Sequence, residues 1–219
     1  MKKTLFILLF CSAAFAQEKF ELKDASKIYD VTATVENCGN GSCDGQLKVE
    51  LFKKTARKPF QTFKLDSTAF SIDEVELVNT KLLYDSQSVI FLEDYNFDGM
   101  PDLAIRDGNN GGYGGPSYQI YLFSPTVKKF VHNSAFTKLN QGVYLGAMEV
   151  DKKKKVLRVL SKSGCCWHQT EEFAVVKNSP KKVFEKTEDA SIADDTKVKI
   201  TTKKLVNNRW RTTVKYVER

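Results

Sequence analysis

The sequence has few histidines, only His132 and His168 in 219 residues. A Ser/His/Asp hydrolase needs a histidine as its general base, and the chain contains no nucleophile-elbow motif to accompany one. The sequence therefore gives such a hydrolase little support. No other catalytic pair is evident, and we predict that the protein is not an enzyme.

Long hydrophobic runs are also missing. A membrane-spanning helix needs about 20 apolar residues, and no stretch of this chain reaches that length. The N-terminal segment instead has the parts of an export signal: Lys2 and Lys3, an apolar run over residues 4–10, and small residues on both sides of Phe15. Signal cleavage is therefore expected after Ala16.

The expected mature protein is residues 17–219, soluble and exported, with the periplasm as its compartment. A lipid anchor on Cys11 is the second interpretation. It is disfavoured because Phe10 stands where a lipoprotein signal has a small side chain.

Acidic residues are the minority, since the chain has 34 Lys and Arg against 27 Asp and Glu, a formal net charge of +7. Loss of Lys2 and Lys3 with the signal lowers that charge to +5. Runs such as residues 152–155 are typical of solvated turns, and no aromatic platform interleaves with them as nucleic-acid binding would require. We expect no nucleic-acid partner, and a protein partner is expected to present an acidic surface.

Short apolar alternations broken by polar turns predict strands. The predicted strands cover residues 28–35, 46–52, 61–65, 74–78, 89–92, 103–105, 118–123, 155–161, 172–176, 203–206 and 210–217. No sustained helical period accompanies them, so we predict one all-β domain of antiparallel strands, either a small propeller-like domain or a β-sandwich. Residues 186–197 are predicted to be a surface linker before a C-terminal hairpin that turns at Asn207 and Asn208.

The strongest chemical signal is the segment of residues 94–102, DYNFDGMPD. Oxygen-bearing side chains stand at its first, third, fifth and ninth positions, with glycine at the sixth. Calcium prefers several oxygen ligands, and a loop that curls around the ion presents alternate residues inward. The predicted ligands are the side chains of Asp94, Asn96, Asp98 and Asp102 and the backbone carbonyl of Met100.

This loop differs from a helix–loop–helix calcium site. Position twelve is Ile105 in place of a bidentate glutamate, and both flanks are predicted strands, so the loop resembles those in the calcium-binding blades of integrin-like propellers. An ordinary Asp/Asn/Gly-rich turn is the alternative, although four oxygen ligands in register with a glycine favour calcium. Magnesium suits the loop less, because it requires stricter octahedral geometry.

Four cysteines remain after cleavage: Cys38, Cys43, Cys165 and Cys166. An even number in an exported chain predicts disulfides, and four cysteines allow three pairings. The tight turn between Cys38 and Cys43 favours two local bridges, with long-range pairing as the alternative. A zinc site at Cys165, Cys166 and His168 and a Cys/His nucleophile are weaker interpretations. Adjacent cysteines seldom both reach one zinc ion, and an oxidising compartment would cap the thiol.

A glycine-rich and aromatic segment, residues 108–118, follows the predicted calcium loop. A phosphate-binding loop would need a helix behind it, whereas a predicted strand follows here. Tyr113 and Tyr118 suit protein recognition, because tyrosine combines contact area with a polar tip. A long surface turn without a partner is the alternative.

Three segments together resemble a known family: residues 94–103, residues 114–123 (GPSYQIYLF after Gly114) and residues 163–168 (SGCCWH). They are similar to a family of exported bacterial proteins that includes immunity proteins against lysozyme-like effectors injected through a type IV secretion system. Members of that family are similar in structure to the periplasmic inhibitors of invertebrate-type lysozyme. The resemblance covers residues 91–184.

The resemblance implies a protein that binds and blocks the active-site cleft of a lysozyme-like peptidoglycan hydrolase, with a structural calcium ion that fixes the neighbouring loop. The implied partner-binding residues are Tyr113, Ser117 and Tyr118 in one loop and Ser163 and Gly164 in a second. The alternative is a calcium-stabilised envelope module with a structural or adhesive role and no enzyme target.

Overall fold

A computed structural model describes residues 17–22, 25–76, 79 and 87–219. The predicted export signal, with Cys11, lies outside these residues, as do residues 77 and 78 of one predicted strand. The described chain consists mainly of antiparallel strands in three sheets, which confirms the all-β prediction. Among the helices within these ranges, none has the length and apolar character needed to cross a membrane.

In each sheet, strands that are consecutive in the chain are neighbours. The first sheet contains β1 (Glu18–Leu22), β2 (Tyr29–Gly39), β3 (Ser42–Lys53) and β4 (Gln61–Ser71), followed by the short helix α1 (Ile72–Glu76). The second contains β5 (Ile90–Glu93), β6 (Asp102–Gly108), β7 (Ser117–Ser124) and β8 (Lys129–His132), followed by α2 (Ser134–Thr137). The third contains β9 (Glu149–Asp151), β10 (Val156–Ser163), β11 (Trp167–Val176), β12 (Ser179–Asp189), β13 (Lys197–Val206) and β14 (Arg209–Glu218). The 3-10 turns are Gly112–Gly114 and Lys138–Asn140.

The second sheet is the middle layer of the molecule. Successive side chains of a strand point to opposite faces, and in β6 the two faces belong to two different hydrophobic cores. Leu103 and Ile105 pack in a core shared with the first sheet, whereas Ala104 packs in a core shared with the third sheet. Because both faces are covered, residues 90–92 of β5 and residues 103–105 of β6 are continuous apolar runs, as expected for strands buried on both sides.

Both local disulfides are present in the structure, in agreement with the local alternative of the cysteine pairing. Cys38 and Cys43 face each other across the β2–β3 hairpin, with their Cα atoms 4.1 Å apart. Cys165 and Cys166 are bonded within the turn between β10 and β11. Since both thiols of this second pair are used in a bond, the zinc and Cys/His nucleophile interpretations are wrong.

The predicted linker over residues 186–197 is too long. Residues 186–189 belong to β12 and pair with both neighbouring strands, so only residues 190–196 connect β12 to β13. The predicted C-terminal hairpin is confirmed. Its turn residues Asn207 and Asn208 both have positive φ, 50° and 58°, as a two-residue type I′ turn requires.

The predicted strand over residues 74–78 is wrong where the structure describes it, because residues 72–76 form the helix α1. The Glu74 carboxylate accepts a hydrogen bond from the backbone N–H of Ser71 at 2.8 Å. A glutamate that reaches back over three residues to a serine at the helix start is half of a capping box. This local interaction favours a helical turn over a strand.

Candidate functional site

The predicted calcium loop connects the end of β5 to the first residue of β6. The two Asp94 oxygens accept hydrogen bonds from the backbone N–H groups of Asp98 and Gly99, at 3.0 and 2.9 Å. Gly99 has a φ of 89° and Phe97 a φ of 62°, the left-handed conformation that glycine adopts without steric cost. The loop therefore curls around the Asp94 carboxylate.

Asp102 closes the loop from inside the protein. Its side chain is fully buried, and its two oxygens accept hydrogen bonds from the backbone N–H groups of Tyr95, Asn96 and Phe123. Burial raises the pKa of the Asp102 carboxyl from 3.8 to about 7, although these three hydrogen bonds oppose the increase. Asp102 thus links the loop that follows β5 to β7.

Asn96 ties the loop to the third sheet. Its side-chain Nδ2 donates to Asp98 Oδ2 at 2.8 Å and to Asn178 Oδ1 at 3.2 Å. Asn178 lies in the turn between β11 and β12, and its carbonyl accepts a hydrogen bond from Asn133 Nδ2. The conformation of the loop is therefore coupled to the position of the β11–β12 hairpin.

The donor chemistry of the loop fits calcium. It offers carboxylate, amide and carbonyl oxygens, which are the ligands that calcium takes, and a Cβ added at Gly99 would meet open space. Within the described ranges, however, no three His, Cys, Asp or Glu side chains converge on one point. In this structure, Asp102 instead accepts three backbone hydrogen bonds, which occupy three of the about four lone-pair sites of a carboxylate.

Tyr113 is the exposed residue of the glycine-rich loop. Its side chain is 66% exposed, yet its hydroxyl accepts a hydrogen bond from the backbone N–H of Gly164 at 2.6 Å. The Nζ of Lys162 lies 4.8 Å from the centroid of its ring. The structure thus brings together Tyr113 and the second predicted loop, although 51 residues separate Tyr113 from Gly164 in the chain.

The backbone around Tyr113 is tightly held. The N–H of Gly112 donates to the carbonyl of Tyr144 at 2.7 Å, and a Cβ at Gly112 would lie 2.6 Å from the carbonyl oxygen of Val143. Tyr113 itself has a φ of 58°, which is uncommon for a residue with a side chain. The loop presents the Tyr113 ring in one defined orientation.

Ser117 and Tyr118 are not available for direct contact, and their assignment as surface residues is wrong. Both are fully buried. The Ser117 hydroxyl donates to Asp107, and the Tyr118 hydroxyl donates to the carbonyl of Ser88 at 3.0 Å. Burial raises the pKa of the Tyr118 phenol well above its usual value. These two residues lie at the start of β7 and anchor the end of the glycine-rich loop to the rest of the protein.

Ser163 and Gly164 are exposed beside Tyr113 at the end of β10. A cleft of about 220 Å³ lies next to Tyr113, and the residues that line it include Tyr113, Pro116, Leu145 and Lys162. We name the exposed surface formed by Tyr113, Lys162, Ser163 and Gly164 the tyrosine site. The sequence did not identify Lys162 as a site residue, because a lysine at an alternate position of a strand looks like any other solvated side chain.

Comparisons with known proteins give a fold but no family. No protein-family model matches the sequence, and no curated protein matches it. A solved structure described as a Xanthomonas type IV secretion system related protein is similar, with a TM-score of 0.69 and 21% sequence identity. The alignment covers 89% of this chain and 92% of that one. At this identity, the similarity shows that the two chains share a fold.

Proposed function

We propose that the protein is a periplasmic inhibitor or immunity protein that binds and blocks a lysozyme-like peptidoglycan hydrolase. The observation that carries the proposal is Tyr113, an exposed aromatic side chain held in a single orientation by Gly164 and Lys162. Residues of this kind dominate the energy of protein interfaces. Because the residue is already ordered, binding costs little additional conformational entropy.

The tyrosine site suits the chemistry of a glycosidase cleft. Glycoside hydrolases use two carboxyl groups that flank the scissile bond. An inserted Tyr113 ring would fill the position of a sugar, and the Lys162 ammonium group beside it would face those carboxylates. Blocking by insertion needs no reaction, which agrees with our proposal that the chain has no catalytic activity of its own.

The fold similarity supports the same proposal. The similar solved structure is described as a type IV secretion system related protein, and the resemblance noted in the sequence is to immunity proteins against effectors of such systems. The two disulfides suit a protein of an oxidising compartment. The exported location is therefore part of the proposal.

Calcium is proposed as a structural ion, held by Asp94, Asn96, Asp98, Asp102 and the carbonyl of Met100. When bound, it would supply positive charge beside carboxylates that otherwise repel one another. Asp102 holds β6 to β7, and β7 begins directly after the glycine-rich loop. The predicted calcium loop and the glycine-rich loop that carries Tyr113 are therefore both attached to β7.

The proposal is tested by a lysis assay with purified mature protein and a panel of lysozymes of different types. We expect the wild-type protein to inhibit at least one of them, and Tyr113→Ala to weaken inhibition by about 100-fold, as for a central aromatic residue of an interface. Tyr216→Ala is the matched control, since this tyrosine is similarly exposed, at 59%, but lies on β14.

Absence of inhibition across the whole panel would count against the proposal, as would equal losses for Tyr113→Ala and Tyr216→Ala. In that event, the alternative of a calcium-stabilised envelope module is tested by pull-down from envelope extracts. Recovery of a structural envelope component in place of a hydrolase would favour it.

A further inference from the structure

The positive charge of the protein is concentrated in its last hairpin. Residues 197–219 contain eight Lys and Arg and a single acidic residue, Glu218, so this segment has a formal charge of +7. The whole chain, with Lys2 and Lys3, also has a charge of +7. All the remaining charges of the protein therefore balance, and its excess positive charge lies on β13, β14 and the C-terminal residue.

β14 is the outer strand of the third sheet. All ten of its residues are exposed, and within the described chain it pairs with β13 alone. An edge strand of this length presents a row of backbone N–H and C=O groups that are free to pair with another chain.

The two faces of β14 have different chemistry. Because side chains alternate along a strand, Trp210, Val214 and Tyr216 share one face, on which they are 46%, 48% and 59% exposed. The opposite face carries Arg209, Arg211 and Lys215, with Thr213 and Val217. Charged residues on an edge strand commonly prevent association, but exposed aromatic side chains on the other face of the same strand favour it.

A second copy of this chain does not fit this edge. When two β14 strands pair antiparallel around a two-fold axis, residues that stand opposite each other lie on the same face. The basic face of one copy would then lie beside the basic face of the other. Like charges placed opposite each other destabilise a strand pair.

We propose that β14 binds a partner protein by strand addition, and that the partner segment alternates acidic and apolar side chains. Its backbone would complete the hydrogen bonds of the β14 edge, the mode in which main-chain bonds give affinity and alternate side chains give specificity. Its acidic residues would face Arg209, Arg211 and Lys215. Its apolar residues would pack beside Trp210, Val214 and Tyr216.

The test uses the full mature chain and a fluorescein-labelled peptide that alternates glutamate and valine, with fluorescence anisotropy as the readout. We expect saturable binding that weakens as salt is added. A peptide of the same composition with its glutamates in one block is expected to bind about ten-fold more weakly, because it cannot match both faces of β14.

Two charge-reversal variants distinguish binding at the β14 strand from nonspecific electrostatic attraction. Arg211→Glu with Lys215→Glu is expected to weaken binding of the alternating peptide by about ten-fold or more. Lys152→Glu with Lys153→Glu makes the same change of charge in an exposed turn and is expected to bind as the wild type does. Thermal melting of each variant checks folding. If the β14 reversal variant is unfolded, Arg211→Gln with Lys215→Gln replaces it.

The proposal is overturned if the alternating peptide does not bind, if the block peptide binds equally well, or if reversal at Arg211 and Lys215 has no effect. Tighter binding of phosphatidylglycerol vesicles or single-stranded DNA, lost in the same variant, would also overturn it, since the hairpin would then recognise phosphate. None of these outcomes bears on the tyrosine site, because Arg211→Glu with Lys215→Glu is expected to inhibit hydrolase as the wild type does.

Discussion

Tyr113 shows how the side chain of one exposed residue is held in place by its neighbours. Its hydroxyl accepts a hydrogen bond from Gly164, and its ring lies beside Lys162. Its own φ is positive, and the preceding residue, Gly112, is hydrogen-bonded to Tyr144. Such a conformation costs a residue with a side chain about 1–3 kcal/mol, but exposed turn residues such as Thr55, Lys128 and Lys177 share it. The contacts of the Tyr113 side chain with Gly164 and Lys162 are therefore the feature that agrees with its proposed role in recognition.

Gly112→Ala tests whether the orientation of Tyr113 matters as well as its presence. The new Cβ would lie 2.6 Å from the backbone oxygen of Val143, so the loop must shift. We expect about a ten-fold loss of inhibition in the lysis assay, since displaced contact residues lose affinity readily. Gly39→Ala is the control, because a Cβ there meets nothing within 4 Å. Equal inhibition by Gly112→Ala and wild type would contradict the prediction.

At the residue scale, the sequence predicted which residue types form the site but not which of them are accessible. Tyr113 and Tyr118 belong to the same glycine-rich segment, but only Tyr113 is exposed. Tyr118 begins β7 on the face that packs against Phe91, with ring centroids 5.3 Å apart. Its burial follows from the stacking of the sheets, which depends on contacts between distant parts of the chain.

The predicted calcium loop, residues 94–102, is the element that connects the layers. Asp102 binds the N–H of Phe123 in β7, and Asn96 binds Asn178 in the β11–β12 turn. A change in the loop is therefore transmitted to two sheets. Because of this arrangement, an ion bound at the loop would stabilise the whole fold and not only one surface turn.

Asp98→Ala tests the proposed ion. For the wild-type protein, calcium at about 100 times its dissociation constant should add about 2.7 kcal/mol to the free energy of unfolding, measured by urea titration with calcium and with chelator. Asp98→Ala should lose most of that difference. Asp195→Ala, an exposed aspartate in the β12–β13 connection, should retain it. An identical calcium response in Asp98→Ala and wild type would refute the site.

Elements were predictable where local sequence determines them. The strands β5, β6 and β7 and the Asn207–Asn208 turn follow from short sequence patterns that tertiary contacts reinforce. The helix α1 was missed although Ser71 and Glu74 have the spacing of a capping box, because the alternation of Glu74, Val75 and Glu76 also fits a strand. The strand β12 was not predicted at all, because its many charged side chains leave little apolar alternation. Its last residues are held by strands on both sides.

At the scale of the whole molecule, the charge distribution resolves a conflict in the proposed function. Many lysozymes are basic, and a uniformly basic inhibitor would be repelled from them. The excess positive charge lies instead on the terminal hairpin, at the outer edge of the third sheet. The tyrosine site lies at the turn between β10 and β11, three strands away from β14. The net charge of the whole chain, which the sequence gives directly, does not show that the excess positive charge lies apart from the tyrosine site.

Deletion of residues 197–219 tests whether the hairpin is a separate functional unit. Neither hydrophobic core includes a residue of β13 or β14, although the deletion removes the ion pair between Lys203 and Glu185. We expect cooperative unfolding with a melting temperature lower by about 3–8 °C. Inhibition of a hydrolase should persist, while binding of the alternating acidic peptide should be lost. A truncated chain that folds but no longer inhibits would show that the hairpin contributes to the tyrosine site, and the two surfaces would have to be treated as one.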